Sequence, residues 1–147
     1  MTDSARLGLP YLAAGQAQKE WTHNEALALL DIAVQASVEA VGTTVPPPTP
    51  AAGACWIVGT EATGAWAGHA GAIAGWTDGG WRFLAPRPGM VAWSRVDGTA
   101  VRYGDAGWRL DRSPPITAPV GGTTVDTECR TAVAAILMAM RERGWLI

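Results

Sequence analysis

Apolar positions along this chain change their spacing twice, and each change marks a different kind of element. Between residues 23 and 34, Leu27, Leu30 and Val34 recur at helical spacing, with Ala26, Leu29 and Ala33 widening the stripe, which predicts a first helix. Thr22-His23-Asn24-Glu25 reads as its capping box: the Thr22 hydroxyl accepts from the Glu25 amide, and the Glu25 carboxylate accepts from the Thr22 amide. Residues 35–42 then alternate weakly, Ala36, Val38 and Ala40 against Gln35, Ser37 and Glu39, as a strand does.

From 54 to 112 the pattern becomes short strands and tight turns. Predicted strands are Cys55–Gly59, Ala72–Trp76, Trp81–Leu84, Met90–Trp93, Ala100–Tyr103 and Trp108–Leu110. Asp78-Gly79-Gly80, Pro86–Gly89, Asp97-Gly98 and Gly104–Gly107 supply the turns between them. Trp76 and Trp81 flank the first of these turns, so their rings are expected to meet across a hairpin. A final helix begins at Thr124 or Asp126, with Asp126 and Glu128 in its first turn and Arg141 and Arg143 in its last, matching the helix dipole. Gly144 is its expected C-cap. Val133, Ile136, Leu137 and Met140 form its apolar stripe, and Trp145-Leu146-Ile147 follow at once. This slim helix with an apolar tail is expected to be docked, either on its own β region or in a bundle with other copies.

These elements fall into three segments: 1–45, a docking segment, helix and strand; 54–112, a Trp-rich antiparallel β region; and 113–147, a linker and terminal helix. A stiff Pro-rich connector, residues 46–53, separates the first two. The whole is expected to form one domain of mainly β structure with two flanking helices (α+β), built as a small antiparallel sheet, a sandwich or a barrel. Residues 1–15 fit no period, because Gly8, Pro10 and Gly15 interrupt them. Leu7, Leu9, Tyr11 and Leu12 are therefore expected to pack on the domain or into a neighbour. As a docking segment, residues 1–15 would be needed for assembly and dispensable for folding.

Composition adds two features. Charged residues are 16% of the chain, against about 25% in soluble proteins generally, which fits a surface partly covered by a partner. Eight of the eleven aromatic residues are Trp, a side chain suited both to interfaces and to stacking on sugars. Trp66, Trp76, Trp81 and Trp108, all near turns, are candidates for an exposed stacking platform; the alternative is that they fill a small β core. The net charge of −2 is unevenly distributed: residues 1–42 carry two cations and five anions, whereas residues 82–112 carry six Arg and three Asp. An acidic start and a basic middle either complement each other between subunits or are separate solvated faces. No dense basic run of the nucleic-acid-binding type is present.

Catalytic motifs are missing: there is no G-x-S-x-G, HExxH, P-loop or G-x-G-x-x-G opening a helix. His23 and His69 lack companions at metal-ligand spacing, and Asp78, Asp97 and Asp105 occupy turn positions where Asp serves backbone geometry. Cys55 and Cys129 form no CxxC and read as buried thiols. No enzyme activity, metal or cofactor is expected. The start, Met1-Thr2-Asp3-Ser4, lacks the features of a signal peptide, and no apolar run approaches the roughly 18 residues of a membrane span, so synthesis and folding in a reducing cytoplasm are expected.

The run Leu7-Gly8-Leu9-Pro10-Tyr11-Leu12-Ala13-Ala14-Gly15-Gln16-Ala17-Gln18-Lys19-Glu20, continuing as Thr22-His23-Asn24-Glu25-Ala26-Leu27, resembles the opening of a family of uncharacterised domains. That family occurs in tail-fibre-like and head-spike proteins of alphaproteobacterial phages, prophages and gene transfer agents. Ala65-Trp66-Ala67-Gly68-His69, Trp76-x-Asp78-Gly79-x-Trp81 and Pro86-x-x-Gly89 are similar to the same family, and the terminus from Val125 to Ile147 is similar to a short helical ending of such proteins. The resemblance implies a virion component, a spike or fibre base or adaptor that aids attachment to a host cell. It also implies assembly as a homo-oligomer, a trimer or pentamer, with other virion proteins and contact with bacterial surface polysaccharide. Such a protein is cytoplasmic when made and then part of an extracellular particle. Leu7, Leu9, Tyr11, Leu12, Val133, Ile136, Leu137, Met140 and Trp145 are the candidate assembly residues.

Overall fold

Helix α1 (Lys19–Ala33) begins four residues ahead of the predicted start, so Thr22 to Glu25 lie inside it rather than capping it. The reason is tertiary. The Asn24 side chain is committed to Leu12, accepting from its amide at 2.9 Å and donating to its carbonyl at 3.0 Å. The Glu25 carboxylate accepts from Arg82 at 2.7 Å. These facts come from a computed structural model that describes residues 3–15, 17–111, 115–143, 145 and 146.

The buried face of α1 also differs from the predicted stripe. Ala28, Asp31 and Ile32 face inward, while Leu30 and Val34 are exposed. A charged residue would not be chosen as a core position from sequence, but Asp31 is buried with its donors supplied. Ser4 Oγ donates to it at 2.7 Å, the amide of Leu7 at 2.7 Å and the amide of Arg6 at 3.0 Å. The Arg6 guanidinium meanwhile donates to carbonyls at the end of α1, those of Asp31 and Ile32, and to that of Gln35 at 2.8 Å beyond it. A cation placed on the terminal carbonyls satisfies groups the helix leaves unpaired. The N-terminal segment, irregular in sequence, is thus folded onto its own helix.

The chain divides into two units, Met1–Arg109 and Leu110–Ile147. The first holds two four-stranded sheets. One has the order β1-β6-β7-β8, with β1 Ser37–Val38, β6 Val91–Ser94, β7 Thr99–Gly104 and β8 Gly107–Leu110. The other has the order β2-β3-β4-β5, with β2 Val41–Thr43, β3 Cys55–Val58, β4 Ile73–Thr77 and β5 Gly80–Leu84. The expected single strand over 35–42 is split between the sheets: β1 pairs with β6 and β2 with β3, both parallel. The pairings β3–β4, β4–β5 and β6–β7 are antiparallel as expected. No closed barrel forms among the described residues, and the arrangement is a sandwich-like α+β fold.

The main core comprises Ile32 of α1 with Ala36, Val38, Cys55, Ile57, Ile73, Ala92 and Val101, flanked by Val41, Leu84, Met90 and Trp108. Gly75 lets α1 approach the sheet: a Cβ there would stand 2.5 Å from Ile32 Cδ1. Both sheets carry a second face. On β6 the large residues Val91 and Trp93 point outward and the small Ala92 and Ser94 inward, the reverse of the usual alternation.

In the second unit, α2 (Thr127–Glu142) starts at Asp126, whose carboxylate accepts from the Cys129 amide at 2.9 Å, as the sequence predicts. Arg130 donates to the carbonyls of Pro119 and Gly121, and Arg141 to that of Ile116 at 3.0 Å, tying the connector to the helix. Leu137 is buried, Val133 and Met140 are half-buried, and Ile136 is exposed. The expected cap Gly144 and the terminal Ile147 lie outside the described residues. Cys129, expected to be buried, is exposed because it follows the N-cap on the solvent side of the first turn.

Candidate functional site

The β4–β5 hairpin is the feature around which the first unit's candidate surfaces are built. Asp78 and Gly79 form its turn, and Gly80 at φ +99 closes it in a conformation that favours glycine. Thr77 Oγ1 donates to the Gly80 carbonyl at 2.8 Å and accepts from the Gly79 amide at 3.2 Å. Trp76 and Trp81 are direct cross-strand partners, with ring centroids 5.0 Å apart and planes at 66°, as the sequence predicts.

Because side chains alternate along a strand, the hairpin presents two different faces. Ala74, Trp81 and Phe83 join Trp56 and Val58 in a second cluster, closed by Trp66 from a short 3-10 helix, Gly64–Trp66. Trp66 lies 5.1 Å from Trp81 and 6.0 Å from Trp56 between ring centroids. His69 stacks flat on Phe83 at 3.6 Å.

Of the four candidate stacking residues, the structure brings Trp66, Trp76 and Trp81 into one neighbourhood. Trp66 has no exposed surface, however, and offers no ring face to a ligand; it is the plug of this cluster, since the segment carrying it folds over the sheet. Trp108 sits apart on β8, its ring against Tyr103 and its indole N–H donating to the Gly71 carbonyl at 2.7 Å, so it fastens a loop to the sandwich. Trp76 and Trp81 remain partly exposed.

The opposite side of the hairpin turn borders a groove of about 450 Å³ between the N-terminal segment and α1. Tyr11, Leu12, Trp21, Asn24, Asp78 and Arg82 are among its walls. Arg82 is held by Glu25 at 2.7 Å and donates to the carbonyls of Gly79 and Trp81, both at 3.2 Å. Burial, and then the nearby Asp31 carboxylate, raise the Tyr11 phenol above its ordinary value, so it keeps its proton further into alkali than a free phenol does. Trp21 is 78% exposed on the groove's edge. The sequence does not single it out: Trp21 shares helical spacing with the buried Ala28 and Ile32, and it is exposed because it lies at the start of α1, on the edge of the groove. Trp93 and Trp145 are exposed as well.

The predicted assembly residues divide in two. Leu7, Leu9, Tyr11 and Leu12 lie in the segment pinned by Asp31 and Asn24, with Leu7 exposed and the others half-buried. Val133, Ile136, Leu137, Met140 and Trp145 lie on or just after α2, and the Arg143 guanidinium stands 5.6 Å from the Trp145 ring centre. No group of three or more His, Cys, Asp or Glu is placed to hold a metal among the described residues. No helix among them is long and apolar enough to cross a membrane.

Taken together, these elements define a mainly β, two-sheet α+β module with an aromatic outer face and an adjoining groove. The chain belongs to the family described as protein of unknown function (DUF2793), which matches residues 23–109. The match runs from within α1 to β8, the first unit without its N-terminal segment. No curated protein matches the chain.

Proposed function

We propose that this chain is a structural, non-catalytic component of a phage-like particle, a virion or gene transfer agent. In that role it is a spike or fibre base or adaptor that assembles with its own copies and helps the particle attach to a host cell. The particle context rests on the resemblance of the Leu7–Leu27 motif and the hairpin motif. The observation that carries the assembly reading is on the second unit. Ile136, on the stripe it shares with the half-buried Val133 and Met140, is 59% exposed, Met138 on another face of α2 is 61% exposed, and Trp145 just after the helix is 55% exposed. Apolar side chains left in water in this number mark a surface that a partner covers. The protein is made in the cytoplasm and leaves it on the particle.

Native mass by light scattering after size exclusion tests this reading. A discrete trimer or pentamer is expected for the natural chain, and monomers for the Ile136→Asp, Met138→Asp double variant. A natural chain that stays monomeric at high concentration removes the self-assembly reading. Immunogold labelling of purified particles tests the location directly.

A second reading is favoured by one observation, the partly exposed edge-to-face pair Trp76 and Trp81. In it the hairpin's aromatic face binds surface polysaccharide. Glycan-array binding that is lost in Trp76→Ala supports it, and an array without any hit removes it.

A further inference from the structure

The groove beside the β4–β5 turn has the chemistry of an arginine receptor. Four carboxylates line it, those of Glu20, Glu25, Asp31 and Asp78, against one cation, Arg82. Asp31 is occupied by the N-terminal segment, Glu25 by Arg82, and Glu20 accepts from the Gly15 amide at 3.2 Å. Asp78 at the turn has no ion-pair partner among the described residues. The exposed indole of Trp21 and the ring of Tyr11 line the same groove. A guanidinium suits such a site better than an ammonium, because it is planar, weakly hydrated, stacks on aromatic faces and pairs with carboxylates in a fork.

The same unit carries the complementary group. The chain has ten Arg and one Lys, and five of those Arg fall in residues 82–109 of this unit. Arg82 and Arg95 are paired, with Glu25 at 2.7 Å and Glu39 at 2.6 Å. Arg109 and Arg87 are exposed, with no ion-pair partner among the described residues. Arg109 is on β8, in the sheet that does not carry the groove. The acidic receptor and Arg109 are therefore on different sheets of the first unit, while Arg87 lies in the loop between β5 and β6.

We propose that the groove is an interaction surface for a second copy of this chain, receiving an arginine of its basic middle, Arg109 or Arg87, between Trp21 and Asp78. Such a contact is head-to-tail: each copy gives its arginine to one neighbour and receives one from the other. Head-to-tail contacts that close produce rings. This interface is independent of the one assigned to α2, and the two are tested separately.

The experiment is native mass of the full chain at low salt. Asp78→Arg is expected to shift the protein to smaller species, as are Trp21→Ala and reversal of the donor, Arg109→Asp or Arg87→Asp. Combining Asp78→Arg with the effective reversal is expected to restore the assembly, because the charges are exchanged rather than lost. Circular dichroism verifies that each variant is folded, and Trp21→Ala alters an exposed side chain only. A second readout needs no assembly: N-acetyl-arginine amide is expected to move the Trp21 indole N–H resonance in the natural chain and not in Asp78→Arg. Masses unchanged in both Asp78→Arg and Trp21→Ala, or no movement of that resonance, overturn the proposal. A mass that falls in Asp78→Arg but not in the Ile136→Asp, Met138→Asp variant keeps the groove and removes the α2 interface.

Discussion

The hydroxyl of Ser4 donates a 2.7 Å hydrogen bond to the buried carboxylate of Asp31, 27 positions further along the chain. With the amides of Arg6 and Leu7 on the same carboxylate, this contact turns an apparently loose N-terminus into part of the α1 packing. A buried carboxylate is tolerated only when its acceptor sites are filled. The segment and the helix residue therefore need each other.

Asp31→Ala is expected to destabilise the protein by about 3 kcal/mol, since it leaves the Ser4 hydroxyl and two amides short of a partner. Urea unfolding followed by Trp fluorescence measures this. The same variant should release residues 3–12 to limited proteolysis before the rest of the domain. Deletion of residues 1–15, expected from sequence to leave folding intact, should instead lower stability by a comparable amount, because it leaves Asp31 buried without its donors.

Gly75→Ala tests the seat of α1 on the sheet. An added methyl would lie 2.5 Å from Ile32 Cδ1 and 2.6 Å from its Cγ1, with Cys55 Sγ at 3.3 Å. Overpacking of this kind costs about 1–3 kcal/mol. The expected result is a lowered melting temperature, partly recovered by Ile32→Val, which makes room at the same point.

Trp66→Ala is expected to cost about 3–5 kcal/mol, the range for emptying a large buried site. Trp76→Ala, at a partly exposed position, should cost clearly less. Parallel denaturation curves decide this, and equal costs would mean that the cluster does not depend on its buried member.

The thiols should behave differently. Burial first of all, with Asp31 and Glu39 adding and Arg6 opposing, pushes the Cys55 thiol up to about 11 from 9.0, whereas Cys129 is exposed. At pH 8 a thiol reagent should label one cysteine of the native protein and two after unfolding. The raised value also makes stability fall in alkali. Below pH 9 the protonated thiol's contribution is present in full, and between 9.0 and about 11 the unfolded chain gives up its proton while the folded one retains it. The rise from 9.0 to about 11 corresponds to about 2–3 kcal/mol, and Cys55→Ser should flatten that part of the pH profile.

Local chemistry was readable directly. Every strand from β3 to β8 lies where alternation and Gly/Asp turns predict it. The Trp76–Trp81 pair and the Asp126 cap follow from residues only a few positions apart, because a hairpin turn and a helix N-cap are satisfied within their own few residues. What the sequence did not reveal depends on partners far away along the chain. Of the expected capping pair Thr22 and Glu25, the Glu25 carboxylate is taken by Arg82, and both lie inside α1, which starts earlier. Asp31 is a core residue only because Ser4, Arg6 and Leu7 come back to it. The strand after α1 is divided between two sheets because its halves find hydrogen-bond partners in β6 and in β3. Whether a Trp is a plug, as Trp66 is, or a surface, as Trp21 is, was likewise decided by what folds over it. Burial and pairing between distant segments are properties of the assembled layers, and no local pattern of residues contains them.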